Sequence, residues 1–291
     1  CDASLGENIS LKGAVYLYKD KLSLSLANLK LNYPRLNLSG KLDIHRVLAS
    51  TSPRINLELV GKDVDVASTR KAVLDLAGEN LVVNDIFTIV KGGKIPFIQF
   101  TSHGKSMEEL GELENITIKS NIKNGDIFVP EVDLDLTDVT GDVTISKGIL
   151  KGKNLKARMG TSKCLDGSLE MGLEGEDALF HLDLTLEADL AQLPPILKRV
   201  VNNEAFIKEN SLVDNVKGRA TGRLVLGESF ASINVLVDVS QFNLSANYRR
   251  LSHPLTINSG RFFLEGNTSS IKDASGSMGN STFTEVSSQM N

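Results

Sequence analysis

Apolar and polar residues alternate with a period of two from one end of this chain to the other, the signature of strands with one greasy and one wet face. Leu22-Ser23-Leu24-Ser25-Leu26 is the clearest stretch, and Leu57/Leu59, Ile116/Ile118, Val132/Leu134/Leu136, Leu182/Leu184/Leu186, Leu224/Leu226 and Ile233/Val235/Val237/Val239 repeat it. The residues between them are Asp, Glu, Lys, Ser, Thr and Asn. Such a pattern suits antiparallel sheets with a single apolar face and excludes a parallel sheet buried between helices, whose strands read as unbroken apolar runs. The parity slips after Leu26, because Leu29 and Leu31 are odd and Leu36 and Leu38 even again; a bulge or turn at Asn28 and Pro34 accounts for it.

Turn signals recur at short intervals: Lys12-Gly13, Ser39-Gly40, Asn124-Gly125, Thr140-Gly141, Lys147-Gly148, Asp166-Gly167, Ser259-Gly260 and Glu265-Gly266, with Asn124-Gly125 the strongest hairpin signal. With 24 Gly against 7 Pro, the expected fold is mainly β, an extended and twisted antiparallel β-meander with a few short helices. Three helical interruptions stand out. Ser68 is placed to cap a helix ending near Ala77, with Val73, Leu76 and Ala77 on one face. Ser106 and Glu109 have capping-box spacing for a single turn. Pro194-Pro195 open a third helix, in which Leu193, Leu197, Val200 and Val201 fall on one stripe; it reads either as a helix packed across the end of a sheet or as an amphipathic gate over the greasy face. Arg158-Met159-Gly160-Thr161-Ser162 resembles Ser277-Met278-Gly279-Asn280-Ser281, so the two segments are expected to be one structural unit used twice.

Composition narrows the function. The 32 basic and 36 acidic residues give a net charge of −4, and their interleaving provides no surplus for a nucleic-acid backbone. Aromatics are 5% and Trp is absent, so a binding surface here consists of alkyl chains, which suit acyl-chain contact better than ring stacking. Cys1 and Cys164 are too few and too far apart for a disulfide framework or a metal site. No run of about 20 apolar residues occurs. The chain reads as a segment of a larger protein, with an acylated Cys1 as a lesser alternative.

Catalytic constellations are missing. His45, His103, His181 and His253 stand alone, without ligand-spaced partners. Gly104-Lys105-Ser106 ends like a phosphate loop, but Gln99 stands where the leading Gly belongs. Asp63/Asp65, Asp133/Asp135/Asp138 and Asp183/Glu187 alternate along strands and are expected on solvated faces rather than in calcium or acid/base pairs. The expectation is a non-enzyme with no cofactor and no metal.

Certain segments resemble a family. Gly92-Gly93-Lys94-Ile95-Pro96, Phe128-Val129-Pro130, Val139-Thr140-Gly141-Asp142-Val143, Ala188-Asp189-Leu190-Ala191-Gln192-Leu193-Pro194 and Gly218-Arg219-Ala220-Thr221-Gly222-Arg223 resemble the C-terminal region of AsmA-like envelope proteins. Gly260-Arg261-Phe262-Phe263-Leu264-Glu265-Gly266 through Ser281 is similar to that family's repeated unit. The resemblance implies a meander curled into a groove, as in chorein-type bridge proteins, held in the periplasm of a Gram-negative bacterium and anchored to the inner membrane by a region outside this chain. It implies a single elongated segment, 1–291, with sub-units 1–65, 66–180 and 181–291, binding phospholipid acyl chains in support of outer-membrane lipid homeostasis. On the alternation pattern the expected lining is Val132, Leu134, Leu136, Leu182, Leu184, Leu186, Leu224, Leu226, Val235 and Val237. The competing reading is a scaffold or assembly factor for outer-membrane proteins, its greasy face closed as a β-sandwich core.

Overall fold

The structure, a computed structural model, describes residues 10–31, 36–46, 52–77, 81–129, 133–200, 204–266 and 268–290. Most of them are strand, and each strand pairs with the one before and after it in sequence, giving one antiparallel meander from β1 to β15 that does not close on itself. A meander of hairpins is what short-range turn chemistry produces when every segment has the same two-faced pattern. The chain divides into two compact units: residues 1–128, 136–154 and 171–174 form the first, and 129–135, 155–170 and 175–291 the second.

The first unit opens with β1 (Ser10–Tyr18), β2 (Lys21–Leu31), β3 (Leu36–His45) and β4 (Arg54–Asp65). Two helices, α1 (Val66–Ala77) and α2 (Leu81–Ile89), then lead into β5 (Val90–Gly104) and β6 (Ile116–Val129). The parity slip in β2 is a bulge: Leu26 pairs with Gly40 and Leu29 with Leu38, so Ala27 and Asn28 absorb the irregularity and the leucines stay on one face. The cap of α1 differs from expectation. Asp65, not Ser68, ends the strand and accepts the Ser68 backbone N–H at 2.8 Å, because a carboxylate at the strand end reaches the third helical amide. The residues expected on one face of that helix, Val73, Leu76 and Ala77, have side chains outside the described ones. Ser106 and Glu109 make half of the expected box: Glu109 N–H donates to Ser106 Oγ at 3.3 Å, but Glu109 Oε2 accepts from Lys105 N–H at 2.7 Å, and the 3-10 turn Glu109–Gly111 starts at Glu108 with no side-chain cap.

The strands β7 (Leu134–Ser146), β8 (Ile149–Met159) and β9 (Ser162–Gly172) follow, and then β10 (Leu179–Asp189). Past β10 come a 3-10 turn (Leu190–Gln192), α3 (Leu193–Val200) and α4 (Glu204–Asn210). The second unit ends with β11 (Val213–Ser229), β12 (Ile233–Tyr248), β13 (Leu255–Glu265), β14 (Thr268–Met278) and β15 (Ser281–Met290).

Of the eight dipeptides read as turns, Lys147-Gly148 and Glu265-Gly266 lie at strand ends with Gly φ of 67° and 56°. The other six, Asn124-Gly125 among them, fall inside strands. Asn124 has φ 48° within β6, and β5 opposite it skips register twice between Val90 and Lys94. The left-handed Asn therefore builds a bulge, not a hairpin: Asn tolerates that conformation, and a bulge needs it as much as a tight turn does. Asn215 and Asp273 repeat the device within β11 and β14, where the register also shifts, and Asp63, Asp138 and Asn154 are further left-handed residues within β4, β7 and β8. The repeated five-residue segments are one unit used twice. Each is a two-residue turn, joining β8 to β9 and β14 to β15, with Gly160 and Gly279 at φ 56° and 59°.

Candidate functional site: an apolar sheet face

In the first unit the register brings the alternating aliphatic residues into rows across four strands. Val15, Leu24, Leu42 and Leu57 form one row, and Leu17, Leu22, Ile44 and Ile55 the next. A third, Gly13, Leu26, Gly40 and Leu59, continues to Phe100 and Ile118. Two of its members are glycines, which leaves a depression. A hollow of about 400 Å³ opens there, lined by Val15, Leu24, Leu26, Leu42, Leu57 and Leu59 among others. Gly40 has a steric role: a Cβ there would lie 2.6 Å from Leu59 Cδ2 and 2.8 Å from the Glu58 carbonyl oxygen. Leu22, Leu24, Leu42, Leu57 and Leu59 are only partly buried.

The opposite face of these strands is polar and paired. Asp43 accepts from Ser23 Oγ at 2.5 Å and from Lys41 Nζ at 2.8 Å, and Lys21 Nζ lies 3.3 Å away. Partial burial pushes its carboxyl up, but the hydrogen bonds from Lys41, Ser23 and Lys21 outweigh this and hold it at about 2. A second hollow, of about 280 Å³, lies beside Phe97, Lys119, Asn121 and Asp142.

In the second unit the expected lining residues assemble. Leu182 pairs with Leu226 and Leu226 with Val235; Leu184 pairs with Leu224 and Leu224 with Val237, which continues to Leu264. Leu186 leads through Gly222 and Val239 to Phe262. These side chains share one face and are partly exposed. Leu134 and Leu136 are partly exposed on β7, while Val132 lies outside the described residues.

Further along the same strands the face is covered. Leu190, in the turn after β10, is buried against Ala220, Phe242, Ile257 and Ala274, with Leu193, Leu244, Leu255 and Phe283 packed around them. Of α3, its first residue Leu193 joins this cluster behind the turn that carries Leu190. Leu197 is partly exposed, the Val200 side chain and Val201 lie outside the described residues, and Arg199 at the helix end reaches Asp133, 3.2 Å from Oδ2. The cover is held by a polar clasp. Ser162 Oγ donates to Gln192 Oε1 at 2.6 Å and accepts from Asp189 N–H at 2.9 Å, while Thr161 Oγ1 donates to Asp189 Oδ2 at 2.6 Å.

Thirteen apolar residues are buried among the described ones, four of them alanine, and no described side chain is wholly enclosed. That is little core for so much aliphatic sequence. The difference lies on the exposed rows. Among the described residues no group of three or more His, Cys, Asp or Glu converges on a metal-sized site. Burial pushes the Cys164 thiol up, which makes it a weak nucleophile. No helix among the described residues is long and apolar enough to cross a membrane.

The rows of β1 to β4 were not among the expected lining residues, although Leu22-Ser23-Leu24-Ser25-Leu26 and Leu57/Leu59 carry the same alternation as the strands that were. Phe262 and Leu264 were missed because no strict alternation surrounds them. No protein-family model, curated protein or solved structure gives a significant match to the chain.

Proposed function

We propose that the chain is a non-enzymatic lipid-binding segment whose partly exposed aliphatic rows receive phospholipid acyl chains. The supporting observation is the combination of aligned Leu, Ile and Val side chains on one sheet face with so few buried among them. Each CH₂ moved from water onto such a surface contributes about 0.8 kcal/mol, so an acyl chain binds without any headgroup contact. A lining uniform in chemistry along a row also lets the chain slide. The resemblance to AsmA-like proteins supplies the wider setting: a periplasmic groove, anchored to the inner membrane by a region outside this chain, that moves phospholipid in support of the outer membrane.

The cluster around Phe242 favours a second reading for its own part of the sheet, where the apolar face is a closed core and acts as scaffold. Native mass spectrometry of gently purified protein tests the first reading. Leu184→Asp or Leu134→Asp abolishes lipid co-purification, whereas Thr137→Lys, at an exposed position, leaves it intact. Equal effects of all three count against lipid binding, provided circular dichroism shows each variant folded.

A further inference from the structure

The polar face of the first unit carries an aromatic ring where its alternation calls for a polar side chain. Gln99 and Thr101 continue that side of β5, while Phe100 joins the greasy row on the other. Phe97 is 40% exposed on the polar side, opposite Lys62 on one neighbouring strand and Asn121 on the other.

Pro96 accounts for the way this ring is held. Lys94 pairs with Lys123 and Phe97 with Asn121, so Ile95 and Pro96 together face Ile122. Proline has no N–H to give the ladder, and an extra residue at such a point makes a bulge that re-aims the side chain beside it. The Phe97 N–H donates instead to Asn121 Oδ1 at 3.2 Å. That bond fixes the Asn121 amide and leaves its Nδ2 as a free donor.

A hollow of about 280 Å³ opens beside the ring, with Lys119, Asn121, Asp142 and Thr144 in its lining. Asp142 Oδ2 accepts from Asn154 Nδ2 at 2.8 Å, so the carboxylate is steadied by one oxygen and offers the other. Asn154 is itself left-handed, at φ 54° within β8. Lys119 Nζ and the Thr144 hydroxyl have no hydrogen-bond or ion-pair partner among the described residues. Lys62 lies across Phe97 from the hollow and is not part of its lining.

We propose that this hollow is a carbohydrate site holding a single pyranose ring. One apolar C–H face of the sugar lies against Phe97, and its hydroxyls are shared between the Asp142 carboxylate and the Lys119 and Asn121 donors. The chemistry selects against the alternatives. Asp142 repels a phosphate and Lys119 an amine, and within the hollow the two charges offset one another. An alkyl chain or an apolar ring would leave the polar groups of the lining without partners. A neutral ligand with hydroxyls that both donate and accept, and with polarised C–H groups for the negative face of an aromatic ring, satisfies them all. Drug-sized ligands occupy pockets of about 300–1,000 Å³, so the smaller hollow takes one ring. The site is independent of acyl-chain binding, because Phe97 and the row of Phe100 and Ile118 lie on opposite faces of β5 and β6.

NMR titration of the full chain tests this, with methyl α-glucopyranoside, methyl β-galactopyranoside and methyl N-acetyl-β-glucosaminide as probes and inorganic phosphate and ethanolamine as controls. At least one glycoside shifts the Asn121 side-chain amide and the backbone amides from Lys119 to Asn121. It saturates with a Kd of about 1 mM, the affinity that the size of a single sugar ring allows. Phe97→Leu keeps apolar bulk without the flat ring and weakens binding about fivefold, whereas Phe97→Tyr retains it. Asp142→Asn still takes the Asn154 bond through its oxygen, loses the charged acceptor and weakens binding about tenfold. The rest of the amide spectrum stays unchanged in each variant, which shows that it folds. No response to any glycoside at about 50 mM, a response led by phosphate or ethanolamine, or binding undiminished by either Phe97→Leu or Asp142→Asn overturns the proposal.

Discussion

The row Val15, Leu24, Leu42 and Leu57 and the cluster around Phe242 are both aliphatic faces of the sheet, yet one stays partly exposed and the other is buried. Both set branched aliphatic side chains in register on one face of an antiparallel sheet, with Gly13 and Gly40 in the row beside the former and Phe and Ala among the latter. Around Phe242 the chain lays Leu190 and Leu193 over the face, and Phe242, Ile257 and Ala274 fall to 8%, 8% and 3% exposure. Among the described residues no such cover lies over Leu24, Leu42 and Leu57, and a hollow remains. The strand pattern sets which side is greasy. Whether that side becomes core or surface depends on a short segment between strands, here the turn and helix that begin at Leu190.

The sharpest way to break this comparison is to truncate the largest side chain on each side. Phe242→Ala leaves a cavity beneath Leu190 and lowers unfolding free energy by about 3 kcal/mol, read from urea denaturation of the full chain. Gly160→Ala attacks the cover through its clasp. A left-handed residue gains a Cβ that would lie 2.2 Å from Gln192 Nε2, and the expected cost is about 1–2 kcal/mol, with faster amide exchange at Leu190 to Gln192.

Asp43→Asn tests the wet side of the open region. The Asp43 carboxyl sits below its unfolded value of 3.8, at about 2, so its contribution is fully present above pH 4 and fades as pH falls from 4 to 2. The variant is therefore less stable by about 1 kcal/mol at neutral pH, after allowing for solvent screening, and matches the parent near pH 2. The smallest effect belongs to Leu42→Ala. On a partly buried row with no cover among the described residues it costs less than about 1 kcal/mol in the same denaturation experiment, and a cost like that of Phe242→Ala would show the row to be core after all.

Much of this architecture is legible in the residues. Leu182/Leu184/Leu186 and Leu224/Leu226 are expected on one face, and the register puts Leu182 opposite Leu226 and Leu184 opposite Leu224, because period-two alternation leaves an antiparallel strand no other way to sort its side chains. Asn124-Gly125 misleads for the same kind of local reason: left-handed conformation is legible, but its use in a bulge or a turn depends on how far the partner strand runs. The cover at Leu190 was harder to foresee. Pro194-Pro195 announce a helix, yet the residues that bring it onto the sheet, Ser162, Asp189 and Gln192, are ordinary polar residues that meet only after β9 and β10 have paired. The hollow at Gly13 and Gly40 is likewise a product of register, since neither glycine is distinctive until Leu26 and Leu59 stand beside it.

The claim that a greasy face stays bare for a hydrocarbon guest is tested most directly by photo-cross-linking with a phospholipid carrying a diazirine on its acyl chain, followed by peptide mapping. The adducts fall on Leu24, Leu42, Leu57 and Leu59 of the first unit and on Leu184, Leu224 and Val237 of the second, and spare Phe242 and Ile257 beneath their cover. Labelling spread evenly over both faces, or confined to the polar side around Asp43, contradicts the account.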